Sequence, residues 1–501
     1  MKLHYIDLFC GAGGTTTGIE EAHIGNVKCA DVIACVNHDP NAIASHLANH
    51  PKAHHFTEDI RTLDVSPLAS LAEGVRRAGP GDYIVLWASL ECTNFSRAKG
   101  GQPRDADSRT LAEHLFRYID AIRPDYIQIE NVEEFMCWGE LDENGHPVSM
   151  TRGRDYLRWV RNVKRRGYDF DYKILNSANY GAYTSRKRYF GVFARKGLPI
   201  VFPEPTHCKN GSEGIFGHMD RWKAVGDVLD LEDEGRSIFD PTRKRLSENT
   251  LKRIYAGLVK FVAGGKDAFR ARLESMVRSD VQPEDLRFAK VCFLSKQFSG
   301  NPDEKNIGID GPAGSVTCID HHAFITACLG KTPHDRVTPR TLRFVDNQYG
   351  NGSPSDIRVP ANTVTTNPKM NLVSARFLMN PQFASAGSAI DKPCFTLIAS
   401  MDKRPPYIVT AEKGTAAAVY EDDSPMTVKI KEFMALYGIS DIFMRMLNIT
   451  ELKRIMGFPS DYVLIGTQTE QKKFIGNAVE VNMSRRLCEA LYAPLLNLGA
   501  A

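Results

Sequence analysis

No C-x-x-C pair or other metal-like spacing occurs among the eleven cysteines of this 501-residue sequence. Cysteines this sparse exclude a disulfide-stapled secreted scaffold, so reduced thiols, a cytoplasmic setting and no bound metal are expected. The opening stretch MKLHYIDLFCGAGG lacks the apolar core and small-residue cleavage site of a signal peptide. No apolar run reaches the ~18 residues that a membrane-spanning helix needs. Charge of one sign is also scarce: the net charge is +3, which identifies no partner because a basic surface can be balanced by acids elsewhere.

Composition is otherwise that of a globular chain, 43% hydrophobic and 25% charged, long enough for two or three domains. Residues 1–200 alternate apolar runs (LHYIDLF, DVIACV, YIVLW, DYIQIE, FDYKILN, RYFGVFA) with helix-like stretches. That rhythm predicts an α/β domain on a mostly parallel sheet, with ligands at the carboxyl ends of its strands. Residues 201–440 are expected to form a second region. It starts with a mainly helical connector, about 205–290, that includes LSENTLKRIYAGLVKFV and DAFRARLESMVR. Repeated β-type units follow over about 297–411.

The units start at Gln297, Gln348 and Gln382, pass a glycine turn and a proline (Pro312, Pro360, Pro393), and enter a Thr-containing strand. SPMTVKI at Ser424 reads as a degenerate fourth echo. These units are either a plain β-meander or an array presenting Gln, Asn and Thr to base edges. Residues 441–501 return to helical patterning in ITELKRIMGF and VNMSRRLCEALYAPLLNL.

Five strand ends carry chemistry. DLFCGAGG places Gly11, Gly13 and Gly14 after the first strand, a turn that lets backbone approach a nucleoside or is simply tight. It has no P-loop lysine, which disfavours nucleotide hydrolysis. ACVNHDP ends the second strand with Asn37 and His38 where Rossmann-like domains often place a ribose-binding acid. TEDI offers Asp59, either an adenine acceptor or a cap. Cys92 in WASLECTNFS and Glu130 in IENVEEF each end a strand-like run of one presumed sheet, and a thiolate beside a carboxyl group suits covalent attack on an unsaturated ring with acid assistance. SRAKGGQPRDADSR, with Arg97, Lys99, Arg104 and Arg109, and RGRDYLRWVRNVKRRGYDF are basic stretches that suit either phosphate or solvent.

Together these residues resemble the cytosine-5 DNA methyltransferases. Leu90, Glu91, Cys92, Thr93, Asn94, Phe95 and Ser96 align with the family's P-P-C-Q-x-F-S, and Glu130, Asn131 and Val132 with E-N-V. NYGAYTSRKRYF is similar to N-Y-G-x-x-Q-x-R-x-R, with Arg186 and Arg188 in place; RMLNITELKRIMGFP and IGNAV are similar to the last two motifs. The resemblance implies a Rossmann-like class I methyltransferase with a mostly parallel mixed sheet at 1–200. It also implies a smaller target-recognition domain rich in short strands and loops within 201–440, and a segment at 441–501 returning to the catalytic domain.

It further implies S-adenosylmethionine as cofactor, without metal, and double-stranded DNA as substrate. Cys92 would attack carbon 6 of a flipped cytosine, Glu130 would hold or protonate ring nitrogen 3, and Arg186 and Arg188 would supply positive charge. Expected cofactor-facing residues are Phe9, Gly11, Gly13, Gly14, Asn37, His38, Asp59, Ile60, Asn477, Ala478 and Val479. Glu91, Thr93, Asn131, Arg97, Lys99 and Thr184 are expected to face the substrate. A bacterial or phage-encoded monomer is implied, in restriction-modification or mobile-element modification with a possible cognate endonuclease.

Glu91 and Thr93 replace Pro and Gln beside the nucleophile, Thr184 replaces Gln, and Asn37 falls where the family has its ribose-binding acid. Those departures leave two alternatives. One keeps the fold but acts on a modified pyrimidine or RNA, or uses a donor such as carboxy-S-adenosylmethionine. The other is an inactive DNA-binding homologue.

Overall fold

The computed structural model describes residues 1–79, 81–90, 106–140, 142–143, 147–214, 217–277, 292–296, 306–308, 322–328, 344–347, 355–356, 370–371, 375–379, 407–413, 419–437 and 439–498. Cys92, Glu91, Thr93, Arg97, Lys99, Arg104, Gln297, Gln348 and Gln382 lie outside them.

The N-terminal sheet contains β1 (Leu3–Leu8), β2 (Ala30–Asn37), β3 (His54–Thr57), β4 (Tyr83–Ser89), β5 (Tyr126–Asn131), β6 (Tyr168–Asn176) and β7 (Lys187–Arg195). Their spatial order is β3-β2-β1-β4-β5-β7-β6. The five strands β1 to β5 run parallel and β7 is antiparallel to both neighbours. This is the expected Rossmann-like mixed sheet, and the order reverses between β1 and β4, the switch point where open sheets bind ligands.

Central strands are covered on both faces, which is why β1 and β4 read as nearly unbroken apolar runs; Tyr5, Ile6, Val85, Leu86 and Trp87 are fully buried. Helices α1 (Gly14–Glu20), α2 (Pro40–Asn49), α3 (Ser66–Ala78), α4 (Ala106–Ile122) and α5 (Arg154–Lys164) alternate with the strands. Asp39 caps α2, accepting from the amides of Asn41 at 3.0 Å and Ala42 at 3.2 Å, while Pro40 supplies a preset first turn.

The basic stretch at 152–170 resolves into α5. Tyr156, Trp159, Val160 and Val163 face inward at helical spacing, while Arg158 pairs with Glu113 and Arg166 with Asp120. Acids of the same surface therefore satisfy part of this basic face.

Beyond the first domain, the connector is mainly helical only in its second half. Short strands at His207–Cys208, Ser212–Gly214, Gly217–Arg221 and Arg236–Ser237 precede α6 (Glu248–Phe261) and α7 (Lys266–Val277). Gly211, at φ 71°, makes the turn between the first two strands, and the Gly217 end of the third closes back on Gly214.

The β-type echo at Ser424 is a helix instead, α8 (Pro425–Tyr437). The Ser424 hydroxyl accepts from the Thr427 amide at 3.2 Å, Pro425 opens the helix, and Met426, Ile430, Phe433, Met434 and Tyr437 are buried at helical spacing. The capping residue, the proline and this spacing outweigh the β-branched Thr427 and Val428.

A strand, Ile439–Met446, follows and pairs antiparallel with Tyr407–Lys413. Then come α9 (Ile449–Ile455), α10 (Gln468–Asn477) and α11 (Val481–Leu498), the first two opened by capping boxes, Asn448 with Glu451 and Thr467 with Glu470. No helix among the described residues is long and apolar enough to cross a membrane.

The last helix packs on the first domain. Met483, Leu487, Leu491, Tyr492 and Leu495 share a core with Leu3, Tyr5, Ile19 and Val32. Burying each large apolar side chain contributes roughly 2 kcal/mol. At the contact, a Cβ on Gly18 would meet the Val481 carbonyl at 2.2 Å, and one on Gly14 would meet the Val479 carbonyl at 2.7 Å. Glycine at 14 and 18 is therefore what lets the C-terminal segment close over the turn after β1.

Candidate active site

That turn starts with Phe9, a non-glycine residue at φ 60°, and continues through Gly11 at φ 54° and Gly13 at φ 102°. A side chain on Gly11 would point into open space, whereas one on Gly13 would strike the Tyr462 hydroxyl at 2.3 Å. The two glycines do different jobs: Gly11 leaves room, and Gly13 lets Tyr462 donate to the Ala12 carbonyl and fix the turn.

Phe9, Gly11 and Gly14 line a cavity with Asn37 and His38 on one side, Glu130 and Asn131 on the other, and Asn477, Ala478 and Val479 above. Arg186 and Arg188 complete its wall. The fold thus brings together eleven expected cofactor or catalytic positions from five distant stretches of chain. A wider cleft at the amino ends of the strands, between Lys2, Asp31 and Leu71, contains none of them.

Glu130, 6% exposed, ends β5, where it is register partner of Ser89 on β4. Arg188 Nε sits 3.2 Å from its Oε1. Burial pushes the Glu130 carboxyl above its usual range, while Arg188, Arg186 and a Ser89 hydrogen bond pull it back. A carboxyl group raised in this way is suited to hold a proton at higher pH than a free carboxylate does. Arg186 is 3% exposed and donates to the Gly476 carbonyl at 3.2 Å, tying the β7 end to the segment before Asn477.

Asn131 is a positioning residue in this geometry. Its Nδ2 donates to the Leu90 carbonyl at 3.3 Å and its Oδ1 accepts from the Val132 amide at 2.8 Å, so it anchors the last described residue before Cys92. Thr184 is fully buried, and its hydroxyl has no hydrogen-bond partner among the described residues.

Asp59 and Ile60 do not line this cavity. Arg61 grips the Asp59 carboxylate, Nη2 to Oδ2 at 2.6 Å, and holds it below the usual range; the Ile60 carbonyl accepts from the Tyr118 hydroxyl at 2.7 Å. Gly13 also stays off the cavity, under Tyr462.

Among the lining residues to which the sequence reading gave no role are Asp39, Lys473 and Phe474. Asp39 carries the negative charge that Asn37 lacks, one turn away, and Asn37 Oδ1 accepts from its amide at 2.9 Å. Lys473 Nζ lies 3.4 Å from Asp39 Oδ2. The D-P cap at Asp39 was a readable signal, whereas the approach of Lys473 and Phe474 depends on long-range docking of α10.

The model of the C-5 cytosine-specific DNA methylase family matches residues 3–255 and 390–493. Among curated relatives, the Type II methyltransferase M.XorII of Xanthomonas oryzae pv. oryzae is 30% identical over 231 residues, 45% of this chain and 46% of that protein. M.AgeI of Thalassovita gelatinovora is 31% identical over 42% of this chain and 44% of its own. M1.HphI of Haemophilus parahaemolyticus is 26% identical over 71% and 84%. The chain thus spans about half the length of the first two relatives. The S. pombe Dnmt2 methyltransferase structure aligns over 99% of both chains at 15% identity and a TM-score of 0.44. With the family model matching most of the sequence across both flanks, the chain belongs to the C-5 cytosine-specific DNA methylase family.

Proposed function

We propose that this chain is a DNA cytosine-5 methyltransferase. The observation that carries the reading is the buried Glu130 and its Arg188 partner, set at the carboxyl edge of the sheet beside the glycine turn. In this reading residues 1–200 and 441–501 form the catalytic body, and residues 201–440 recognise the target in double-stranded DNA. Modification by a bacterial or phage system, with or without a partner endonuclease, fits relatives named as Type II methyltransferases.

The residues present fit S-adenosylmethionine. Open space over Gly11 admits a ligand against backbone, Phe9 offers an aromatic face, and Asn37 and Asp39 offer acceptors for hydroxyl groups. Asp59 and Ile60, at the next strand end, extend this edge. When bound, the cofactor supplies an electrophilic methyl group on a positively charged sulfur.

This chain's own residues prepare the base. Cys92, two residues beyond the anchored Leu90, is the nucleophile toward carbon 6 of cytosine. Addition there makes carbon 5 nucleophilic, and Glu130 neutralises the charge developing at nitrogen 3 by holding a proton. Arg188 keeps Glu130 oriented, and Arg186 braces the opposite wall through Gly476. Glu91, Thr93, Arg97 and Lys99 flank the nucleophile in sequence and are assigned in this reading to contacts with the flipped base or its strand; flipping itself costs a few kcal/mol.

Base-resolution methylation mapping of a plasmid incubated with the protein and S-adenosylmethionine tests this. The expected product is 5-methylcytosine at one recurring sequence. A plasmid whose cytosines stay unmodified, or in which only another base changes, would overturn the proposal.

A further inference from the structure

On the other side of the cofactor turn from Glu130, four potential metal ligands converge from four separate elements. Cys10 follows β1, Cys35 lies in β2, His46 in α2 and His55 in β3, where Cys35 and His55 are register partners. The thiols of Cys10 and Cys35 and one His46 ring nitrogen all lie within 4.8 Å of one another, and all three residues are buried. His46 Nδ1 is 3.6 Å from Cys35 Sγ and 2.9 Å from His55 Nε2.

The proton positions make this cluster unusual. Thr16 donates its hydroxyl proton to Asp7 Oδ2 at 2.9 Å, so its oxygen accepts from His46 Nε2, 3.0 Å away. That leaves His46 Nδ1 with a lone pair. His55 Nε2 faces that lone pair at 2.9 Å, and with the His55 proton on its other nitrogen two lone pairs meet there, with two sulfurs alongside. A shared proton would satisfy one pair of atoms, whereas a divalent cation would satisfy all four.

We propose that Cys10, Cys35, His46 and His55 form a tetrahedral metal site, occupied by zinc. Bonds of about 2.3 Å to sulfur and 2.0–2.1 Å to nitrogen place adjacent tetrahedral ligands roughly 3.6 Å apart for S and N and 3.3 Å for two N. The first matches the 3.6 Å between Cys35 and His46; His55 has to move further, parting from His46 by about 0.4 Å from 2.9 Å and closing on the cluster, because it stands outside the 4.8 Å that holds Cys10, Cys35 and His46 together. Thr16 and Asp7 behind His46 supply the outer hydrogen bonds that orient a metal-bound imidazole.

All four positions around the ion are filled by protein, so the site is structural. Zinc there ties the Phe9–Gly14 turn, through Cys10, to β2, α2 and β3. Cysteine spacing alone points away from zinc because the ligands stand 25, 11 and 9 residues apart along the chain and meet only after folding.

The test is elemental analysis of the full-length protein, purified without chelator or affinity histidines. One zinc per chain surviving dialysis is expected. Cobalt substitution should give thiolate-to-cobalt charge transfer with the intense visible bands of a tetrahedral ion. Cys35→Ser and His55→Gln should each lose the metal, while His54→Gln, at an exposed neighbouring position, should keep it. Metal at the buffer blank with no cobalt spectrum, or full zinc in Cys35→Ser, overturns the site.

Should those variants fail to fold, alkylation of the unaltered chain decides. Zinc added to chelator-treated protein should protect Cys10 and Cys35 in mass spectra. Equal labelling with and without zinc, or recovery of the pair as a disulfide, refutes the proposal.

Discussion

The two flanks of the turn after β1 use different chemistry on one scaffold. Toward β4, β5 and β7 the groups are hard and charged: Glu130 is paired with Arg188, and Arg186 reaches Gly476. Toward β2 and β3 they are soft and neutralisable: Cys10, Cys35, His46 and His55. A buried carboxylate raised by burial and drawn back by Arg188 and Arg186 stays responsive to protons, so the charged flank is where a base can be activated. Two buried thiols beside imidazole nitrogens favour a bound cation over turnover, so this flank anchors the turn that the other flank uses.

The largest effect that would break this contrast is on Glu130. Glu130→Gln should lower the methylation rate roughly 10²–10⁴-fold with little change in melting temperature. Cys35→Ser should do the reverse, lowering the melting temperature and zinc content before the single-turnover rate. If Cys35→Ser matched the rate loss of Glu130→Gln in a protein that still melts normally, the division between flanks would fail.

Arg188→Met sharpens the charged side. Arg188 favours the ionised form of Glu130, so its removal raises the carboxyl further and moves the falling, high-pH limb of the rate profile to higher pH. Stability should also drop by about 3 kcal/mol near pH 8. The sign follows from linkage. A raised carboxyl penalises the fold above its unfolded pKa, so the penalty should fade as pH falls below the ordinary carboxylate range. Urea unfolding at several pH values measures it, and a loss independent of pH would point to packing instead.

Gly18→Ala tests the lid shared by both flanks. A methyl 2.2 Å from the Val481 carbonyl should push α11 off α1 and cost about 1–3 kcal/mol, weakening cofactor binding more than the chemical step. Asn131→Ala should have the smallest effect, about 1 kcal/mol from the lost bond to Leu90. It should appear as a several-fold fall in kcat, because Leu90 leads into the segment carrying Cys92.

Much of the charged flank was readable before folding. Glu130 ended an apolar run, and Arg186 and Arg188 stood two apart where the strand Lys187–Arg195 begins. The glycine turn announced itself by composition, although only the fold separates the open Gly11 from the packed Gly13.

The soft flank was not readable, since its ligands come from a turn, two strands and a helix with no short spacing among them. Asp39, Lys473 and Phe474 were missed for a related reason: a partner 434 residues away along the chain is set by tertiary packing. At Ser424 the local signals conflicted, and the capping residue with Pro425 prevailed over the β-branched pair.

The central claim, base activation by Cys92 with acid help from Glu130, is tested most directly by trapping on a duplex whose cytosines are all 5-fluorocytosine, with S-adenosylmethionine present. The wild-type chain should form an adduct that survives denaturing electrophoresis, Glu130→Gln should form it far more slowly, and Cys92→Ala should form none. No adduct from the wild type, or an undiminished one from Cys92→Ala, would contradict the account.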